Sequence, residues 1–93
     1  GRVYVDAGAV AVLRQRGSSL LAVGVIAVEG DFKRGDLISC VGSDGCEVAR
    51  GLINYSADET TAIKGSSTSE IMRRLGYREE DELIHRDNLV LLG

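Results

Sequence analysis

No apolar run in this chain grows long before a glycine or a polar cluster cuts it. The longest, Leu20 to Val28 (LLAVGVIAV), has only nine residues and Gly24 at its centre. A membrane-spanning helix needs about 20 apolar residues, so this run reads as a buried strand instead. The other apolar segments, RVYV, LISCV, EVARGLINY and LIHRDNLVLL, are short or alternate with polar residues, and 12 glycines punctuate the chain. Branched aliphatics in brief stretches divided by glycine predict short strands joined by tight turns. With 93 residues there is room for one domain and one modest core. A chain of this size buries only about 60–65% of its unfolded surface.

Local signals predict the elements. RVYV is a strand with Val3 and Val5 on one face. Asp6 caps a helix through AGAVAVLRQR, because its carboxylate accepts the free N–H groups of the first turn. Val10 and Leu13 lie one turn apart, Arg14 and Arg16 sit at the negative end of the dipole, and Gly17 ends the helix. EGDFKRGD is a loop bent at Gly30 and Gly35. LISCV and EVARGLINY flank a GSDG turn as an antiparallel hairpin. In its second strand Ala49, Gly51, Ile53 and Tyr55 share one face, and Val48, Arg50, Leu52 and Asn54 the other. Gly51 and its small neighbours predict a close approach by another segment.

In that register Ser43 faces Cys46 and Cys40 faces Ala49, so the two thiols are offset and do not bridge. Free thiols fit a reducing cytoplasm. Ser56 with Glu59, and Ser67 with Glu70, form two capping boxes that open short helices ending at Gly65 and Gly76. REEDE is a solvated acidic link, and LIHRDNLVLL closes the chain as a strand. The expected class is mainly β with short helices (α+β), a small barrel closed late by its terminal strand. Gly1 in place of Met marks the chain as a piece of a longer protein.

The chemistry is tested motif by motif. His85-Arg86-Asp87 spells the start of the protein-kinase catalytic loop. That loop needs Leu after Asp and a metal-binding Asn further on, whereas Asn88 follows Asp87 and Leu92 stands at the Asn position. The triplet therefore reads as the polar start of the closing strand. Two cysteines and one histidine at unsuitable spacing do not supply a structural zinc site. No phosphate-binding G-x-x-x-x-G-K-[ST] loop occurs, and the serines lack a nucleophile elbow. No catalytic, cofactor or metal residue is expected in this segment. The net charge of −3 and pI near 5.0 argue against a polyanion-binding chain as a whole. Arg14, Arg16, Lys33, Arg34 and Arg50 remain candidates for a phosphate-reading rim if the fold brings them together.

Six blocks in order, VDAGAVAVL, SLLAVGVIAVEGDFKRGD, DGCEVARGLINYS, IKG, LGY and HRDNLVL, resemble the C-terminal PUA domain of bacterial glutamate 5-kinases across nearly the whole chain. The resemblance implies a PUA-like mixed-sheet pseudobarrel over residues 1–93, and a parent enzyme that transfers the ATP γ-phosphoryl to the side-chain carboxylate of glutamate. ATP and magnesium would belong to the parent's N-terminal amino-acid kinase domain, not to this segment. The implied partners are that domain and a second subunit of a homo-oligomer, in the cytoplasm and off the membrane. The implied role is regulatory or in assembly. In RNA-modifying relatives the PUA module docks RNA through its first helix and adjacent strand, here AGAVAVLRQRGSSLLAVGV, which makes RNA binding the alternative.

Overall fold

Alternation builds the sheet. The computed structural model describes residues 1–15 and 18–92. In β1 (Arg2–Val5) Val3 and Val5 are fully buried while Arg2 faces water. β2 (Val25–Glu29) runs antiparallel to β1, and β3 (Leu37–Val41) runs parallel to it. β4 (Glu47–Leu52) pairs antiparallel with β3, and β5 (Leu89–Leu91) antiparallel with β4. The strand order is β2-β1-β3-β4-β5, a mixed sheet.

Three short helices complete the fold. In α1 (Ala7–Leu13) the Asp6 carboxylate accepts the Ala9 N–H at 2.7 Å, as the sequence predicts. The helix ends at Leu13 with Arg14 as its cap, earlier than expected, and Arg16 and Gly17 lie outside the described residues. α2 (Ala57–Ile63) opens on the Ser56–Glu59 box. The Ser67–Glu70 box opens a 3₁₀ turn, Thr68–Glu70, that continues into α3 (Ile71–Leu75). Gly76 then takes φ 83°, the left-handed conformation that ends a helix at low cost in glycine.

Leu20 to Val28 is not one strand. Leu20 forms an isolated bridge with Ile84, Ala22–Gly24 is a 3₁₀ turn, and the strand starts only at Val25. The cause is α1. A Cβ on Gly24 would lie 2.6 Å from the Ala9 Cβ, and the Gly24 carbonyl accepts the Asp6 N–H at 3.0 Å. The chain must bend there to let the helix down onto it.

The hairpin strand also stops early, at Leu52, not Tyr55. The Ile53 and Asn54 N–H groups leave the ladder for the carbonyls of Asp36 and Leu83. At the turn a register shift after Cys40 pairs Val41 with Glu47, and the Gly42 N–H, not Ser43, reaches Cys46. Cys40 does face Ala49; both thiols are free, with Cys40 buried and Cys46 exposed.

The tail departs most from expectation. Leu83 to Leu92 is a bridge at Ile84, a 3₁₀ turn at Arg86–Asn88 and only then a three-residue strand. His85 starts the turn by accepting the Asp87 N–H on its ring. The closing role is kept in another way. The Leu20 N–H donates to the Ile84 carbonyl at 3.0 Å, and the Leu83 N–H donates to Leu20 at 2.8 Å. These two segments lead into the two edge strands, β2 and β5, so one bridge stitches the open sheet into a pseudobarrel. Inside lie Val3, Val5, Leu13, Leu20, Ile38, Ile53, Tyr55, Ile63, Ile71, Leu83 and Ile84, all at most 2% exposed. No helix in the described residues is long and apolar enough to cross a membrane.

Candidate functional site

Two of the concave surfaces among the described residues bear on function. The first lies between α1 and the segment Ser19–Gly24, a cleft of about 310 Å³. α1 is amphipathic only in part: Leu13 points into the core, whereas Val12 stays exposed. Val12, Leu21 and Val23 therefore present aliphatic groups along the cleft, and among the described residues Asp6 is the one charged residue lining it. This is the surface that the resemblance assigned to RNA. Among the described residues its lining offers methyl groups and no cation, which suits an apolar ligand better than a phosphate backbone.

The second surface is the outer face of the sheet. Strand alternation puts Arg2, Ser39 and Arg50 in one cross-strand row, since Arg2 pairs with Ser39 and Ser39 with Arg50. With Tyr4, Val41, Gly45 and Glu47 they line a cleft of about 450 Å³. Glu47 organises it. Its carboxylate accepts from Arg50 Nε and Nη2 at 2.8 and 3.0 Å, and from the Ser39 hydroxyl. The Arg50 bonds and the Ser39 bond hold the Glu47 carboxyl down at about 2, so it stays ionised at any physiological pH. Arg2 is paired with Glu29 at 3.5 Å.

The basic residues singled out from sequence stand in separate surroundings. Arg14 caps α1 and lines a shallow cleft with Gly42, Ser43, Asp44 and Val48. Arg16 lies outside the described residues. The Lys33 N–H donates to Asp36 within a turn at 2.9 Å. Arg34 is bound to Glu79 and Glu80 on the acidic link, and Arg50 is bound to Glu47. Among the described residues Arg14 and Arg50 line different clefts, and Arg34 and Arg50 hold different carboxylates. Arg2 was missed, although the alternation that turns Val3 and Val5 inward already turns Arg2 and Tyr4 outward.

REEDE is not merely solvated. The buried Tyr55 hydroxyl donates to the Glu80 carbonyl and accepts the Glu79 and Glu80 N–H groups at 3.1 and 3.0 Å. Arg34 clamps the same two glutamates from outside. At the tail, His85 Nδ1 accepts the Asp87 N–H at 3.1 Å, and the Ser19 hydroxyl accepts the Arg86 N–H at 2.8 Å. The triplet that imitates a catalytic loop is thus a capped turn tied to the segment before β2. Burial pushes the Cys40 thiol up to about 12, with the Glu47 charge adding to it, so it remains protonated and unreactive.

Comparison with known proteins gives a consistent set of likenesses. The family model described as PUA domain matches residues 1–75. The glutamate 5-kinase of Saccharophagus degradans is 62% identical over 92 residues, covering 99% of this chain and 25% of that protein. Those of Burkholderia vietnamiensis and Chromobacterium violaceum are 60% and 59% identical, with the same coverage of both chains. The chain thus spans about a quarter of the length of these curated relatives. Among solved structures, a PUA domain from Aeropyrum pernix K1 superimposes with a TM-score of 0.63 at 23% identity, over 91% of this chain and 41% of that one. A conserved PUA domain protein from Thermoplasma acidophilum reaches a TM-score of 0.58 at 34% identity, over 66% of this chain and 40% of that one.

Proposed function

The chain belongs to the PUA domain family, and from that membership we propose that it serves as the non-catalytic C-terminal module of a glutamate 5-kinase. The observation that carries this reading is identity of 55–62% to glutamate 5-kinases along nearly every residue of the chain. In this reading the intact protein transfers the ATP γ-phosphoryl to the glutamate side-chain carboxylate, the opening step of proline biosynthesis, in the cytoplasm. Magnesium and nucleotide are held by the amino-acid kinase domain that precedes residue 1. The module itself makes and breaks no bonds. It tunes regulation or assembly through contacts with that domain or a second subunit.

Local chemistry supports a non-catalytic role. The His85 ring caps a turn by accepting the Asp87 backbone N–H, Cys40 is a buried neutral thiol, and Glu47 is locked to Arg50 and Ser39. RNA binding has weaker support, since Arg34 and Arg50 already hold carboxylates and the family's RNA-docking cleft is apolar here.

Glutamate-dependent ATP turnover by the intact protein, with and without residues 1–93, tests the reading. Turnover should persist after deletion, while oligomer mass, proline sensitivity or metal dependence changes. Loss of turnover in a truncated protein that remains folded would place chemistry in the module and refute the proposal.

A further inference from the structure

The outer sheet face carries an aliphatic strip that nothing among the described residues covers. Leu37 and Leu52 are direct cross-strand partners, Arg50 follows Leu52 on the same face of β4, and Val90 stands opposite Arg50. Leu37, Leu52 and Val90 are 62%, 42% and 64% exposed. The Arg50–Glu47 pair flanks them as a polar rim. An apolar centre beside a neutralised polar edge has the composition of a protein interface.

The register says what reaches this strip first. β1 and β3 are parallel with Arg2 beside Ser39, and the Gly1 carbonyl accepts the Ser39 N–H at 3.0 Å. Carried back one more residue, the preceding chain would pass Leu37. The other apolar surface, at Val12, Leu21 and Val23, lies beyond the opposite end of β1, where the chain turns at Asp6 into α1. Size points the same way. A few aliphatic side chains fall well short of the ~800 Å² per partner that a stable complex between separate molecules buries. They suffice for a partner held close by a covalent tether, whose effective concentration is of millimolar order.

We infer that Leu37, Leu52 and Val90 form the seat for the domain preceding Gly1 in the intact protein; this rests on the reading of the chain as a C-terminal module. The module then meets its parent through the β3-β4-β5 side of the sheet and leaves the α1 cleft open.

Hydroxyl-radical footprinting of the intact wild-type protein tests this without a mutation. On an uncovered module Leu37 is the more exposed residue, 62% against 40% for Leu21, and should be oxidised faster. With the seat occupied the order inverts, and Leu37 and Val90 lose most of their label while Leu21 and Val23 keep theirs. The unchanged order would overturn the inference. Protection that vanishes when the protein is diluted to single subunits would assign the strip to a second copy, and would also overturn it. In the intact Leu37→Asp/Leu52→Asp variant, protease should cut the segment before Gly1 faster than in wild type, while Val23→Asp leaves the rate unchanged; equal rates in all three would count against the seat.

Glutamate phosphorylation assayed on the same sample separates the two claims. Activity with an exposed Leu37 defeats the seat alone. A protected Leu37 without activity defeats the kinase reading, and supports the seat for a preceding domain of other chemistry.

Discussion

Replacing Gly51 with alanine should open the barrel at its seam. Gly51 lies on β4 where the tail crosses, and its added Cβ would sit 2.6 Å from Ile84 Cγ2, 2.7 Å from the Asn88 carbonyl oxygen and 3.3 Å from Leu89 Cα. Carbon atoms pack best at about 3.5–4.0 Å, so a displacement of about 1 Å is needed. Ile84 is fully buried, so its packed neighbours have to take up any shift. Asn88 is held by its own N–H bond to the His85 carbonyl at 2.8 Å. The strain therefore falls on the pairing of Gly51 with Leu89, one of only three register pairs that hold β5.

Overpacking of this kind costs about 1–3 kcal/mol, and each ladder bond lost adds about 1 kcal/mol. The expected total is about 3 kcal/mol, set against a total stability of about 5–14 kcal/mol for a chain of this length. At about 4–8 °C per kcal/mol, the melting temperature should fall by more than about 10 °C. Urea and thermal unfolding by circular dichroism measure this directly. Gly8→Ala is the control. Its Cβ would meet only Asp6 Oδ1, at 3.4 Å, and the site is an exposed helical position. There alanine should be neutral or stabilise by about 0.5–1 kcal/mol. A Gly51→Ala variant within about 0.5 kcal/mol of wild type, well below the usual cost of overpacking, would mean that the tail does not seal the core against β4.

Three further measurements probe the same logic. Gly24→Ala should cost about 1–3 kcal/mol by driving a methyl into Ala9, and Ala9→Gly should recover part of it in the double variant despite its own helix penalty of about 1 kcal/mol; a purely additive cycle would rule out the contact. Tyr55→Phe removes the oxygen that holds Glu79 and Glu80, so stability should drop by about 1–3 kcal/mol and the amides of those two residues should exchange faster, while unchanged exchange would mean that Arg34 alone holds the link. In the native protein a thiol reagent should modify Cys46 and spare Cys40. Because burial raises Cys40 from 9.0 to about 12, the unfolded chain releases its proton first. Stability should therefore decline as pH rises through that interval. Cys40→Ala should flatten the decline, and an identical pH profile would show that Cys40 does not titrate with unfolding.

Elements with local causes were legible in the chain. Asp6, Ser56 and Ser67 announce their helix starts because a cap needs only a side-chain acceptor and N–H groups two or three residues away. RVYV and the face carrying Ala49, Gly51, Ile53 and Tyr55 follow from a two-residue period, and burial agrees with both. Leu20 to Val28 failed because an unbroken apolar run carries no period, and the contact that bends it is Ala9 against Gly24, fifteen residues away. The tail failed for a related reason. Leu83-Ile84 and Leu89-Val90-Leu91 have strand composition, but their partners, Leu20 and β4, occupy different parts of the sheet, and a turn must carry the chain between them. The Tyr55 and Arg34 clasp on Glu79 and Glu80 spans 24 to 46 residues and leaves no local trace. Arg50 was found, but its neighbourhood with Arg2 depended on knowing that β1 and β3 are parallel neighbours.

Ion pairing lowers what Arg2 and Arg50, the arginines on the sheet strands, would gain from an RNA phosphate. On the sheet Arg2 is matched with Glu29 and Arg50 with Glu47; off it Arg34 is matched with Glu79 and Glu80, Arg73 and Arg74 with Glu70, and Arg78 with Asp81. Nucleic acid gains affinity when a protein cation replaces the mobile ions condensed on phosphate. At these arginines the phosphate must first displace a carboxylate tethered alongside, which then remains facing it with like charge. Glu47 is the firmest case, since Arg50 and Ser39 keep it charged down to about pH 2. Each exchange therefore returns little, and the net −3 of the chain opposes the approach. The same neutralisation favours a protein partner. An aliphatic strip at Leu37, Leu52 and Val90 beside a closed ion pair repels neither acidic nor basic neighbours, so burial of apolar surface alone can decide the docking. Exposed ion pairs contribute little binding free energy of their own. Added salt should therefore weaken such a contact far less than it would weaken a phosphate interface.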